Sequence, residues 1–99
     1  MLNINTQRED AVLTVRLEGR LDTVTSPELE KRLNEELPGI TALVLDLEGL
    51  SYISSAGLRV LLSAQKIMSK QGGMKLTHVC EPVMEIFDVT GFSDFLTIE

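Results

Sequence analysis

The hydrophobic residues of this chain follow two periods, and the period changes several times along the sequence. In residues 13–17, "LTVRL", apolar and polar residues alternate, which predicts a half-buried β-strand. In residues 29–37 leucines are spaced by four with charges between them, which predicts an amphipathic helix ended by Pro38 and Gly39. A chain that switches between these periods is restricted to a small set of layered α/β folds.

The flanking segments extend this pattern at both ends of the first helix. "LNINT" predicts a short edge strand, joined to the next strand by a turn within "REDA". Ser26 is the expected N-cap of the first helix, although Thr25 also fits a capping box. The continuous apolar run 42–45 predicts a central strand covered on both faces.

The second half of the chain repeats the order strand, helix, strand, helix. "YISSAGLRVLL" opens a helix that "KQGG" ends, and its apolar arc is wide enough to face another helix or a partner in addition to the sheet. "MKLTHVC" predicts a strand, "EPVMEIFDVTGF" a helix ended by Gly91, and "FLTIE" a last short strand.

The predicted order is therefore β-β-α-β-α-β-α, with a further strand at the end. We expect one domain over residues 1–99, an α/β fold with a four- to five-stranded mixed sheet. The polar face of the strand around residues 13–17 predicts that the helices pack mainly on one face of this sheet.

Composition excludes several classes of function. The formal net charge of −6 argues against binding nucleic acid or anionic membranes. The single cysteine, Cys80, excludes an intramolecular disulfide. No apolar run reaches the roughly 20 residues of a membrane span, and "MLNINTQRED" contains no signal peptide, so a cytoplasmic location is expected.

Few residues indicate catalysis or metal binding. His78 and Cys80 alternate on one predicted strand, but two ligands make a poor metal site. Asp22 and Asp46 both follow strand-like segments, so they could meet at one edge of the sheet and serve a small enzyme, or act as loop and strand-end residues. The sequence argues against a serine hydrolase, because no GxSxG turn is present and the only histidine lies on another predicted strand. We expect no enzyme activity, no cofactor and no metal.

The two serines that precede the second helix allow two interpretations. Ser54 or Ser55 is a typical N-cap residue for a helix that begins at this point. A serine hydroxyl there also lies beside free backbone N–H groups, and the positive end of the helix dipole would favour a phosphate. Reasoning from the residues leaves both serines open as phosphorylation sites.

The chain as a whole resembles the STAS-domain anti-sigma factor antagonists of bacteria. The resemblance is carried by "VRLEGRLDTVTSPELEKRL", by "LVLDLEGLSYISSAGLRVLL", and by "QGG" and "IFDVTGF" near the end of the chain. It implies a protein that binds a serine-kinase anti-sigma factor, releases a sigma factor, and is switched off when the kinase phosphorylates a loop serine. A PP2C-type phosphatase would remove that phosphate.

The family motif Asp-Ser-Ser/Thr-Gly assigns the site residues on this chain. It selects Ser55 as the phosphate acceptor, with Ser54 as the second candidate, and it matches Gly57. Ser54 stands where the family has an acid, and Ala56 stands where it has a hydroxyl residue. The resemblance further implies a partner-binding surface whose members come from two loops and the helix that follows: Asp22, Thr23, Ser54, Ser55, Ala56, Gly57, Leu58 and Arg59. The alternative is a STAS interaction module without a switch, such as the cytosolic partner of a transporter ATPase.

Overall fold

The computed structural model describes residues 2–99 and contains one four-stranded mixed sheet with three helices. The strands are β1 Leu2–Glu9, β2 Val12–Leu21, β3 Ala42–Ile53 and β4 Gly73–Thr77, and they lie in this order across the sheet. The helices are α1 Ser26–Glu36, α2 Ser55–Gln71 and α3 Glu81–Thr90, followed by a 3₁₀ turn at Phe92–Asp94. The predicted order β-β-α-β-α-β-α is confirmed.

Strand pairing explains why α1 and α2 share one face of the sheet. β1 is antiparallel to β2, whereas β2, β3 and β4 are parallel neighbours. The crossovers β2-α1-β3 and β3-α2-β4 move across the sheet in the same direction. Because both crossovers prefer the right-handed connection, both helices lie on the same side. The expectation that the helices pack mainly on one face is confirmed.

The core lies between that face and the helices. The inward residues of β2, such as Leu13 and Val15, are fully buried, and so are Leu29 of α1 and Phe87 of α3. The opposite face of the sheet carries polar residues and is open. The prediction that β3 is covered on both faces is wrong for this reason: β3 is central, but Val44 on its outer side is only partly buried.

The second half of β3 departs from simple alternation. Its pairing with β2 shifts register twice, between Arg16 and Glu18 and between Gly19 and Arg20. Each shift adds one residue to β3, which is a β-bulge. The buried residues of this half are therefore spaced by three, at Leu47, Leu50 and Ile53, rather than by two.

The helix ends differ in detail from the sequence expectations. The N-cap of α1 is Thr25 and not Ser26, which is already the first helical residue. The wide apolar arc of α2 packs on α1 as well as on the sheet, since residues of both helices, including Val60 and Ala64, line the seam between them.

The segment after α3 forms less sheet than predicted. Gly91 ends α3 in the left-handed conformation, as expected, with φ of 79°. "FLTIE" contributes a single bridge between Ile98 and Leu76 and is not a full fifth strand. Among residues 2–99, none of the helices is both long and apolar enough to cross a membrane.

Candidate functional site

Two loops meet at the carboxyl ends of β2 and β3. The first, residues 22–25, is called the Asp22 loop here, and the second, residues 54–57, the Ser55 segment. Leu21 pairs with Ile53 in the sheet, and the Ser54 amide donates to the Leu21 carbonyl at 2.9 Å. The sheet therefore places the two candidate segments side by side, as the resemblance implied.

The Asp22 loop is held by its own side chains. Asp22 Oδ1 accepts hydrogen bonds from the amides of Val24 and Thr25, each at 3.0 Å. The Asp22 amide in turn donates to Thr25 Oγ1 at 2.9 Å. The bond from the Thr25 amide, supported by that from Val24, holds the pKa of Asp22 below its usual value, because both stabilise the ionised carboxylate. Asp22 is thus the loop-capping residue that one of the two sequence interpretations described.

The Ser55 segment uses only one of its two hydroxyl groups. Ser54 is the N-cap of α2, with extended backbone, and its Oγ accepts from the Gly57 amide at 3.4 Å. Ser55 is the first helical residue and is exposed. No side-chain hydrogen bond found among residues 2–99 involves the Ser55 hydroxyl. The structure therefore distinguishes the two serines: Ser54 caps the helix, and the Ser55 hydroxyl is exposed.

The other predicted surface residues divide into exposed and buried members. Thr23 and Arg59 are exposed, and Ala56 is partly buried. Gly57 and Leu58 are buried and face the core. A Cβ on Gly57 would lie 2.8 Å from carbon atoms of both Leu21 and Ile53, so only glycine lets the first turn of α2 lie this close to the sheet. Gly57 and Leu58 can shape the surface from behind but are not part of its exposed area.

Three surface residues beside these loops were missed by sequence reasoning. Val24, at the tip of the Asp22 loop, is 85% exposed. The Arg20 guanidinium carbon lies 4.4 Å from the centroid of the Tyr52 ring, and Arg20 Nε lies 4.0 Å from an Asp22 carboxylate oxygen. The apolar Val24 within the polar stretch "DTVTS" was a detectable signal, whereas the Arg20–Tyr52 contact depends on the β3 bulge.

Asp46 and His78 occupy positions that the sequence did not predict. Asp46 pairs with Arg16 in the middle of β3, seven residues before Ile53, and so lies roughly 20 Å from the edge that holds Asp22. A site built on Asp22 and Asp46 together is therefore excluded.

β4 ends before His78, which has φ of +55°, while Cys80 is the N-cap of α3 and donates to the Leu50 carbonyl. His78 and Cys80 consequently do not share a strand face.

Comparison with known proteins identifies the class. The family model described as STAS domain matches residues 3–99. The chain is 30% identical to an anti-sigma-B factor antagonist of Bacillus subtilis, over 98% of this chain and 90% of that protein. It is 32% identical to an anti-sigma F factor antagonist of Paenibacillus polymyxa, over 98% of this chain and 86% of that protein. This chain belongs to the STAS-domain family.

Comparison with solved structures agrees on the fold. A crystal structure of an anti-sigma factor antagonist from Mycobacterium paratuberculosis superimposes with a TM-score of 0.89. The two chains are 24% identical, and the match covers 99% of this chain and 85% of that one. The four-stranded mixed sheet with three helices is therefore the architecture of such proteins.

Proposed function

We propose that this chain is an anti-sigma factor antagonist that works by binding and not by catalysis. It binds a serine-kinase anti-sigma factor in the cytoplasm, so that the sigma factor held by that kinase is released. Relatives named as anti-sigma factor antagonists, which match nearly the whole chain, support this class of function. Phosphorylation of Ser55 by the kinase ends the binding, and a PP2C-type phosphatase restores it.

The observation that carries the switch is the free, exposed hydroxyl of Ser55 in the first turn of α2. A kinase can reach this group without breaking an existing hydrogen bond. Ser54 is less suited, because its hydroxyl already caps the helix and its side chain is partly buried. Ser55 is therefore the proposed acceptor, and Ser54 is the second candidate.

A phosphate on Ser55 would leave the fold intact. It adds about −1.5 to −2 charge units at neutral pH. The first turn of α2 presents backbone N–H groups, and a negative charge at such a position is stabilising by about 0.3–1 kcal/mol. The position is exposed, so the phosphate stays hydrated in the free protein. The main effect of phosphorylation must then fall on the complex.

The proposed contact surface is centred on Ser55 and the tip of the Asp22 loop. Its exposed members are Thr23, Ser55 and Arg59, with Asp22, Ser54 and Ala56 partly exposed around them, and we add Val24 as an apolar anchor. A dianion forced into such a contact must lose its hydration, which is costly unless a cation of the partner receives it. A loss of about 2.7 kcal/mol weakens binding about a hundredfold.

The direct test is incubation with the partner kinase and ATP, followed by mass spectrometry. We expect one phosphate, on Ser55, in the wild type and in Ser54→Ala, and none in Ser55→Ala. Binding measured by calorimetry should weaken about a hundredfold for the phosphorylated protein and return after treatment with a PP2C-type phosphatase. Ser55→Ala should bind the kinase persistently.

Two results would contradict the proposal in different ways. Phosphate on Ser54 alone would show that the family motif had been transferred to the wrong serine. Kinase binding without phosphate on either serine would favour a STAS module without a switch, such as a cytosolic partner of a transporter ATPase. Circular dichroism of each variant, recorded alongside, separates a lost interaction from a lost fold.

A further inference from the structure

We propose that Asp46, Glu48 and His78 form a binding site for a divalent transition-metal ion, with Zn²⁺ as the probe, on the open face of the sheet. Each of these residues places a potential ligand atom within 4.8 Å of the ligand atoms of the other two. The cluster lines a shallow groove on the face that carries no helix, away from the proposed contact surface. The inference is therefore independent of the proposed function.

The backbone brings His78 to Asp46 in a specific way. Asp46 in β3 pairs with Thr77, the last residue of β4, and His78 follows directly. The left-handed backbone of His78, with φ of +55°, ends the strand at this point. The imidazole then lies over the open face, with Nδ1 at 3.1 Å from Asp46 Oδ1.

Glu48 joins the cluster because of the first bulge in β3. The bulge lies between the pairs that join Arg16 to Asp46 and Glu18 to Gly49. It lets the Glu48 amide donate to Asp46 Oδ1 at 3.1 Å and leaves the Glu48 side chain exposed beside that carboxylate. Without this bulge, Glu48 rather than Gly49 would be the pairing partner of Glu18.

The donor set and its spacing suit a transition metal. Zinc binds imidazole nitrogen and carboxylate oxygen at about 2.0–2.2 Å, so two ligands that subtend about 90–110° at the metal lie about 2.8–3.6 Å apart. The 3.1 Å between His78 Nδ1 and Asp46 Oδ1 falls within that range, and a rotation of the exposed Glu48 side chain closes the remaining distance. Imidazole favours zinc, copper or nickel over magnesium and calcium, which prefer oxygen ligands alone. Water would complete the coordination.

Arg16 is the competing cation at this site. Its Nε lies 3.5 Å from Asp46 Oδ2, the oxygen that does not contact His78, and its side chain is 62% exposed. Two carboxylates against one guanidinium leave a net negative site for the metal. Removal of the Arg16 charge should therefore strengthen metal binding, which is the opposite of the effect expected from loss of a ligand.

The experiment is a titration of the purified protein with ZnCl₂, followed by calorimetry and by proton NMR of the imidazole. His78 is the only histidine in the chain, so its ring signals report directly on this site. We expect one zinc ion per chain and a shifted or broadened imidazole resonance. His78→Asn is chosen because asparagine tolerates the left-handed backbone. It should weaken zinc binding by at least about 10–100-fold, which is the loss typical even for residues that only hydrogen-bond to a metal ligand.

Matched variants distinguish this site from general attraction to acidic groups. Glu48→Gln should weaken zinc binding. Glu18→Gln removes the same charge from the same groove and should leave the zinc affinity within about twofold of the wild-type value. Cys80→Ser should bind zinc like the wild type, and Arg16→Gln should bind it more tightly. The proposal is overturned by an absence of zinc binding at millimolar concentration, by an unchanged affinity in His78→Asn, or by equal losses in Glu18→Gln and Glu48→Gln.

Discussion

The Asp22 loop and the Ser55 segment lie side by side at one edge of the sheet but are fixed by different forces. Hydrogen bonds from the loop's own amides to the Asp22 carboxylate hold the first. The second is held by packing, since Gly57 lets the start of α2 lie directly on Leu21 and Ile53. The two segments differ in how their polar groups are used: the Asp22 carboxylate is engaged in its own loop, whereas the Ser55 hydroxyl is exposed and makes no side-chain hydrogen bond within residues 2–99.

The strongest test of the packing in the Ser55 segment is Gly57→Val. The new Cβ alone would come within 2.8 Å of carbon atoms of Leu21 and Ile53, both buried. We expect a loss of about 3 kcal/mol in the free energy of unfolding, at the upper end for overpacked cores. Ala56→Val is the matched control at the neighbouring, partly exposed position and should cost less than about 1 kcal/mol. Urea denaturation measures both, and equal losses would contradict the packing argument.

The hydrogen bonds of the Asp22 loop are tested by Asp22→Ala and Asp22→Asn. Asp22→Ala removes the acceptor for two amides and should lower the melting temperature, so any loss of kinase binding must be compared with that of a folded control. Asp22→Asn keeps an acceptor oxygen and removes the charge, so it should be destabilised less. A melting temperature unchanged in Asp22→Ala would show that the carboxylate contributes little to the loop.

The depressed pKa of Asp22 predicts the pH range in which its charge matters. Because the folded state favours the carboxylate, the stability that the charge contributes is fully present above the unfolded-state pKa, about 3.9. This contribution is lost as the pH falls through the lower, folded-state pKa. The difference in melting temperature between wild type and Asp22→Asn should therefore be constant from about pH 7 to 5 and shrink below about pH 4. Glu30→Gln, an exposed change of equal charge on α1, controls for net charge.

Ser54→Ala and Ser55→Ala should differ modestly in the free energy of unfolding and sharply in phosphorylation. Ser54→Ala removes the N-cap of α2 and should cost about 0.5–1 kcal/mol, the lower part of the usual range, because the hydrogen bond to the Gly57 amide is long at 3.4 Å. Ser55→Ala should change the free energy of unfolding by less than about 0.5 kcal/mol. Thermal unfolding of both variants checks this order, and a larger loss in Ser55→Ala would mean that its hydroxyl has a structural role.

Much of the architecture could be predicted because it depends on local patterns. The alternation of residues 13–17 and the leucine spacing of residues 29–37 report burial directly, so β2 and α1 were predicted correctly. The N-cap of α1 is Thr25, one residue before the expected Ser26, and its hydroxyl donates to the Arg20 carbonyl at 2.8 Å and accepts from the Asp22 amide rather than from an amide of the helix. That competition involves the end of β2 and leaves no signal in the capping pattern itself.

The sequence alone determined the period of each element, their order and the position of both serines at the start of α2. Which serine caps the helix was decided by strand pairing, because the Ser54 amide donates to the Leu21 carbonyl and Ser54 keeps an extended backbone, so that the helix begins at Ser55. The meeting of Asp46 with His78 across 32 residues was likewise decided by the parallel pairing of β3 with β4 and by a left-handed residue that ends a strand. Pairing register and bulges depend on contacts between distant segments, and local hydrophobic patterns do not contain that information.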